Sequence, residues 1–415
     1  MDEAGTAWSR PCWDLQTMQA DLLSIAAGLE QIPSIVAAQK MGFSVLAMDG
    51  NPEAPGLKVA DRGVNINARD FAAAEEIARQ AQIKALLPIP IGALLAVAGR
   101  LNTSLHLPGP QTHAAKLCTD KYLQRQVLLG ADLPQPSFFL VRDRREILEA
   151  AARINGRVVV KPRFGSGSKA VFVAETSQEL LDLLPWHFGN EAEVHSLVES
   201  YVEGTEYGVD AAITRGEFHL LAIRGKELTP LPYRVNRGFF LPVVASQEHL
   251  DTIAETCRCA VNAVGLDDCL VHFDVVLSPE NKAFVIELSG RPSGYNISAK
   301  MLPAALGFSP IEEMTKHLLG RASDFAAKTS RGAVLRMLAV APGKVESISG
   351  LAEAISEPGV VALETFLSEG LSVEASRDGT SAYQAGYLIT DGETLEAAEM
   401  NWQRAASRLK IKTQP

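Results

Sequence analysis

No segment of this 415-residue chain approaches the roughly 20 consecutive apolar residues of a membrane-spanning helix, so a transmembrane protein is not expected. An excess of basic residues is also missing. The formal net charge is −10 and the isoelectric point about 5.4, a balance that favours neither nucleic acid nor an anionic membrane as partner. Cysteine is scarce and odd in number. Cys12, Cys118, Cys257, Cys259 and Cys269 lack disulfide-framework spacing, and Cys257-Arg258-Cys259 lacks the second pair that a zinc site needs. Reduced thiols in a cytoplasm fit this usage. The N-terminus is acidic, with no apolar segment behind basic residues, so no secretory leader is expected. Repeats and low-complexity tracts are absent, as is any recognisable Ser-His-Asp or Cys-His set. What remains is an ordinary globular composition, 47% hydrophobic and 21% charged, in a chain long enough for two or three cores.

Residues 1 to about 20 show no pattern and read as an arm without strands. Leu22–Ala27 reads as a strand, Gly28 as a turn, and Ile32–Met41 as a helix with Pro33 in its first turn and Gly42 at its end. Ser44–Met48 is a second strand, closed by the turn Asp49-Gly50-Asn51-Pro52, which completes a βαβ unit. Strands near Arg62–Asn65 and Ala85–Ile89, with the helix Phe71–Gln82 between them, make residues 20–115 a doubly wound α/β domain. Its first turn, Ala27-Gly28-Leu29-Glu30-Gln31-Ile32, lacks the G-x-G-x-x-G glycines that let a pyrophosphate approach, which argues against a dinucleotide site. A helix Lys116–Leu129, a strand Ser137–Val141 and a helix Arg144–Arg153 open the next unit. The helix Gln247–Val264 carries Cys257 and Cys259 as small core residues, and helices Ala299–Leu306 and Ile311–Leu319 follow. From about residue 330, short strands (Ala333–Val340, Gly343–Ser347, Val360–Phe366, Ser372–Glu374, Gly386–Thr390) and a helix Ser349–Ser356 precede a closing helix Thr394–Leu409. Ala397, Met400 and Ala405 are on its apolar side. This last unit carries no evident chemistry and reads as a lid or base for the central one.

Four stretches carry chemistry. In Val271–Asn296, two strands flank the turn Ser278-Pro279-Glu280-Asn281. Hairpin pairing sets Asp274 and Glu287 side by side on one face. Two carboxylates so close need positive charge between them, and such a pair suits Mg²⁺, which takes one or two carboxylates plus phosphate oxygens. An exposed acidic hairpin without a ligand is the alternative. In Val158–Lys169, three valines make a strand that Lys161 closes, and Gly165 and Gly167 leave backbone N–H groups free to approach an anion. This cradle is not the P-loop, whose G-x-x-x-x-G-K-[ST] pattern is missing, and a plain glycine turn is the alternative. In Leu197–Asp210, Gly204 turns the chain between two strands, leaving backbone groups for an adenine edge and Glu206 for ribose hydroxyls, or else a solvated acidic turn. Lys226–Phe240 reads as a basic, aromatic loop whose Arg234 and Arg237 hold a carboxylate or phosphate, or merely pair with acidic surface.

Taken along the chain, the lysine on the early helix, the Lys161 strand with its glycine-serine loop, the hinge and the acidic hairpin ending in arginine resemble the ATP-grasp superfamily, over most of the chain from about residue 20. The resemblance implies that Lys121 and Lys161 meet the phosphates and that Gly165, Ser166, Gly167 and Ser168 form the flexible loop closing over them. It further implies that the hinge containing Glu199, Tyr201 and Val202 holds adenine, that Glu206 holds ribose, and that Asp274 and Glu287 bridge the metal. Within the superfamily, Ile286-Glu287-Leu288-Ser289-Gly290-Arg291-Pro292-Ser293-Gly294-Tyr295-Asn296 is most similar to the L-amino acid ligases. That implies a catalytic role for Arg291 together with Lys161, and substrate contacts from Ser293, Gly294, Tyr295 and Asn296. One departure is Ser289, where many relatives have a metal-binding asparagine.

The expected fold is thus α/β, α+β in parts: an N-terminal doubly wound domain (1–115), a two-lobed ATP-grasp domain (116–328, lid about 137–198) and a small C-terminal α+β domain (329–415). The expected activity is an ADP-forming ligase joining a small-molecule carboxylate to an amine through an acyl phosphate, with amino acids as substrates. ATP and one or two Mg²⁺ ions are its expected cofactors, Mn²⁺ being able to substitute. A ligase for bicarbonate or a nucleotide precursor, and a nucleotide-binding regulator without turnover, are the competing readings. A homodimer is the commonest assembly for such a chain.

Overall fold

The computed structural model describes residues 19–189, 191 and 193–414; the arm expected before residue 20 lies almost wholly outside them. The N-terminal unit is a parallel sheet in the order Arg62–Asn65, Val45–Asp49, Leu22–Ser24, Ala85–Leu86. Its inner strands are buried on both faces, as in covered parallel sheets: Leu22, Leu23, Val45, Leu46, Ala47 and Met48 are all fully buried. Asp70 caps the helix Phe71–Gln80 by accepting from Ala73 N.

An antiparallel sheet runs through the rest of the molecule in the order Ala283–Ser289, Cys269–Leu277, Thr205–Thr214, Glu217–Leu228, Asn236–Leu241, Gly332–Met337, Tyr387–Gly392, Val360–Glu364. Its last three strands come from the C-terminal unit, which therefore extends the central sheet. A separate antiparallel sheet, Phe138–Val141, Ser196–Ser200, Val158–Pro162, Phe172–Ala174, stands above it as a lobe. The helix Gln247–Val264 backs the sheet with Ile253, Cys257, Ala260, Val261 and Val264, one apolar stripe at helical spacing. Ser246 caps its start, and Gly265 in the left-handed region ends it.

Four expectations from the sequence are corrected. The helix Lys116–Leu129 is two helices, Thr112–Thr119 and Lys121–Gly130. Asp120 between them is extended, and its carboxylate accepts from Tyr122 N and Leu123 N. The basic loop Lys226–Phe240 is mostly two paired strands, with Lys226 opposite Phe239. Cys259 is not a core residue like Cys257; it lies half-buried on the outer side, 3.4 Å from Glu255. Met400 is 59% exposed, and Ala398 and Ala405 are the buried residues of the closing helix. The sequence reading also passed over the helix Ser177–Phe188, the helix Gly379–Tyr383 and the final strand Lys410–Gln414.

Candidate active site

Alternation along four strands gathers charge on one face of the central sheet. Arg224 pairs with Gly208, Gly208 with Asp274, and Asp274 with Glu287. One step along, Asp210 pairs with His272 and His272 with Ser289. Gly208 is required in this row. A Cβ there would lie 2.6 Å from Arg224 Nη1, so only glycine lets the guanidinium lie over the strand, within electrostatic reach of Asp274. Asp210 and Ser293 hold Arg224 in place. Its Nε donates to Asp210 Oδ2 at 2.5 Å, its Nη2 donates to Ser293 Oγ at 3.1 Å, and that hydroxyl donates to Asp210 Oδ1 at 2.6 Å.

Two lysines supply the positive charge that the carboxylate pair demands. Lys226 Nζ, almost wholly buried, lies 3.0 Å from Asp274 and 3.4 Å from Glu206. Burial opposes the charge on both sides of this contact. The lysine nevertheless holds the Asp274 carboxyl below its usual range, and the two acids hold Lys226 above its own. Lys121 Nζ is 3.9 Å from Glu287 and donates to Gly165 O at 2.6 Å. Glu206 also accepts from Arg234 at 2.6 Å.

A buried ion cluster joins the lobe to this floor. Arg125 donates to both oxygens of Glu199, from Nε at 2.8 Å and Nη2 at 3.1 Å, and also to the carbonyls of Val285 and Ile286. Lys161 Nζ lies 2.8 Å from Glu199. Burial pushes Glu199 up, but Arg125 and Lys161 outweigh it and hold the carboxyl down at about 2. Burial pushes Lys161 down to about 8, helped by the Arg125 and Lys121 charges and only partly offset by Glu199. One carboxylate thus faces an excess of cations, an arrangement that an added anion would relieve. Asp120 grips Arg163 with both oxygens, at 2.8 and 2.6 Å. Together with Gln124, which exchanges two hydrogen bonds with the Leu288 backbone, this contact places Lys121 at the rim.

Between lobe and floor is a cleft of about 1030 Å³. Lys121, Lys161, Gly165, Ser166, Ser168, Glu199, Tyr201, Val202, Glu206, Arg234, Asp274 and Glu287 all line it. Gly167 does not; its carbonyl turns outward and accepts from Gly379 N at 2.7 Å. Arg237 does not either. Its neighbour Asn236 lines the cleft, and alternation sends Arg237 to a different hollow beside Met337–Ala341, which corrects its expected substrate contact. Ser293 is committed to Arg224 and Asp210, and Asn296 donates to Tyr383 Oη at 3.1 Å, so both hold the fold in this state. Arg291 lies behind the cleft, in electrostatic reach of Glu287 and Glu30, with Nη1 donating to Pro292 O at 2.9 Å. Tyr295 N donates to Glu30 Oε1 at 2.6 Å. Burial and the nearby Arg291 push the His272 imidazole down to about 3, leaving it neutral.

Among the described residues no group of three or more His, Cys, Asp and Glu side chains could hold a metal alone. Asp274 and Glu287 fit Mg²⁺ as the two carboxylates whose coordination shell phosphate oxygens complete. Arg125, Arg224 and Glu30 were not singled out from sequence, and Lys226 only as one charge of the basic loop. Reading Glu217–Leu228 as a strand would have revealed Arg224 and Lys226 on one face. No comparable signal marked Arg125 or Glu30.

Residues 154–300 match the ATP-grasp domain family, and residues 336–414 match the family described as L-amino acid ligase C-terminal domain 2. An uncharacterised protein of Sinorhizobium fredii, y4rH, is 26% identical over 325 residues, 77% of this chain and 66% of that protein. The chain thus spans just under two thirds of the length of that curated relative. The L-amino acid ligase of Bacillus licheniformis superposes with a TM-score of 0.79 at 19% identity, over 96% of this chain and 100% of that one. The biotin carboxylase domain of Hydrogenobacter thermophilus 2-oxoglutarate carboxylase, determined with MgADP, ADP and bicarbonate, gives 0.72 at 16% identity, over 95% and 91%. These structural likenesses establish the fold, and the two family matches add to it. The chain carries an ATP-grasp domain match over residues 154–300 and resembles the ATP-grasp ligases, the L-amino acid ligases among them.

Proposed function

We propose that the protein is an ADP-forming ligase that joins the carboxylate of one amino acid to the amine of a second substrate. The observation that carries this reading is the row Arg224–Gly208–Asp274–Glu287, facing Lys161, Lys121 and the glycine-serine loop across one cleft. ATP occupies the cleft in this reading, with adenine at Tyr201 and Val202 and ribose at Glu206, where it shares the carboxylate with Arg234 and Lys226. Asp274 and Glu287 are the residues that would hold Mg²⁺, which would supply neutralising charge to the nucleotide phosphates. A substrate carboxylate oxygen attacks the γ-phosphorus and the bridging P–O bond to ADP breaks. The acyl phosphate formed has the leaving group that a free carboxylate lacks. The amine then attacks the carbonyl carbon, loses a proton and expels phosphate. No protein nucleophile is required; the side chains position and neutralise. In this reading the domains divide at residues 1–115, 116–328 and 329–415, with a lid of about 137–198. The four described cysteines outside Cys12 are unpaired thiols, which agrees with a cytoplasmic setting.

The test is ATP turnover with single amino acids and with pairs, read as nucleotide and as product mass. ADP release driven by particular amino acids, with a dipeptide-mass product, supports the reading. Stimulation by bicarbonate instead would move the protein to the carboxylase type, AMP would mean adenylate chemistry, and no stimulation would leave a nucleotide-binding regulator.

Two further results are expected. Lys161→Ala should raise the KM for ATP and lower kcat by an amount equivalent to about 1.5–3 kcal/mol, the scale of one charge-assisted hydrogen bond. Wild-type kinetics in a folded variant would count against its phosphate role. The loop Phe164–Lys169 should exchange amide hydrogens more slowly once ATP and magnesium are added, as a lid that excludes water does. Equal exchange in both states would remove the lid.

A further inference from the structure

We propose that the two outer units latch the glycine-serine loop over the cleft, with Gly379 of the C-terminal unit as the residue that positions it. The proposal rests on the ligase reading and gives the C-terminal unit a part in it, that of keeping water from the acyl phosphate. The first observation is how little holds the loop. Phe164, Gly165, Ser166 and Gly167 are all exposed, so apolar burial contributes little to its placement. Its backbone is also costly to keep. Gly165 and Gly167 have φ of 112° and 70°, and Ser168 and Ala170, which are not glycine, have φ of 54° and 57°. Such residues stay in the left-handed region only where surrounding contacts fix them. Two of those contacts come from outside the loop's own lobe. Lys121 Nζ donates to Gly165 O at 2.6 Å, and Gly379 N donates to Gly167 O at 2.7 Å.

The second observation is the shape of the slot. Asp378 N donates to Ser381 Oγ at 3.0 Å, and Ser381 N donates to Asp378 Oδ1 at 2.7 Å. This exchange fixes the turn and leaves the Gly379 N–H for the loop. A Cβ at Gly379 would lie 2.9 Å from Gly167 O and 2.2 Å from Tyr295 Oη. The loop carbonyl and the tyrosine thus fill the space that a side chain would need, although the backbone at Gly379 is not left-handed and would itself accept one. At the neighbouring loop residue, a Cβ on Gly92 of the N-terminal unit would lie 2.9 Å from Ser166 Oγ. The loop tip therefore closes between two glycines, one from each outer unit. Neither lines the cleft; they act through Gly165, Ser166 and Ser168, which do. The reaction gives this closure its use. Water that reaches an acyl phosphate attacks the carbonyl carbon and loses a proton. The C–O bond to phosphate breaks, and the starting carboxylate returns with ATP consumed. A latched loop reserves that carbon for the amine.

The experiment uses the full-length protein and two variants. Gly379→Ala adds the Cβ, and Gly379→Pro deletes the N–H donor at the first position of a helix, where proline is tolerated. Both should keep the wild-type Tm. With ATP and magnesium, amide hydrogens across Phe164–Lys169 are expected to exchange about 3- to 10-fold faster in each variant, the scale of one lost hydrogen bond. With amino acid pairs that drive turnover, ADP released per amide bond formed should rise by a similar factor. A folded variant whose loop exchanges as in wild type overturns the latch. Faster exchange with ADP still matched to amide product also overturns it, since the closure then guards nothing. If wild type forms no amide with any pair, the ligase reading fails, and the exchange comparison alone still decides whether Gly379 holds the loop.

Discussion

Replacing Arg291 by lysine should leave ATP binding close to wild type and lower kcat by about 10²–10³-fold, the usual effect of removing one donor that stabilises a developing oxyanion. The guanidinium comes from the segment just past Glu287, and its Nε is buried without a partner. Arg291 lies behind the cleft and does not line it, so a catalytic role requires its planar fork to turn toward the Glu287 side, where it offers an oxyanion paired donors that an ammonium cannot copy. The competing explanation is that Arg291 only steadies the hairpin through Glu287 and Glu30, both of which lie in its field. The two explanations separate in one comparison. A catalytic arginine predicts an unchanged Tm with turnover lost, whereas a structural one predicts a protein that unfolds early and loses ATP binding with it.

Arg125→Met should destabilise the protein by about 3–5 kcal/mol, the range for removing one partner of a buried ion pair. Arg125 is 1% exposed and ties three segments together: Glu199 on the lobe, Gln135 on the connection into it, and the Val285 and Ile286 carbonyls on the hairpin. Its loss leaves the buried carboxylate of Glu199 with Lys161 alone. Urea denaturation read on the lobe is the measurement, and the double variant Arg125→Met/Glu199→Leu should recover part of the loss because the stranded charge is gone. The same pair sets an acid limit. The Glu199 carboxyl is held at about 2 in the fold against an ordinary value of 4.5. The native state therefore binds fewer protons than the unfolded chain between those values, and stability falls with pH across that window. Above pH 4.5 the contribution is fully present. In Glu199→Leu the acid-induced loss across this window should shrink; an unchanged acid profile would mean that other carboxylates carry it.

The sequence by itself determined whatever depends on near neighbours in the chain. Period-two alternation around the Ser278–Asn281 turn brings Asp274 and Glu287 close together on paired strands, but the bulge between Asp274 and Val275 is what sets them directly opposite. The helix Gln247–Val264 was legible with the bounds that the structure has, and the valine strand around Lys161 from its β-branched residues. The tertiary structure decided everything that depends on which strands lie side by side. Nothing local says that Thr205–Thr214 lies between Cys269–Leu277 and Glu217–Leu228, yet that order turns Gly208 into the slot for Arg224 and brings Lys226 to Asp274. Read as a loop, Lys226–Phe240 gave Arg234 and Arg237 the same prospects; as strands and a short turn, it sends them to different hollows. Nothing local marks Arg125, one charge on the helix Lys121–Gly130, as the residue that lobe and hairpin close around, and Glu30 lies far from Arg291 in the chain. Short-range periodicity reports which face a side chain takes, but the partner across that face is chosen by the burial of distant apolar segments, and charge follows them into place.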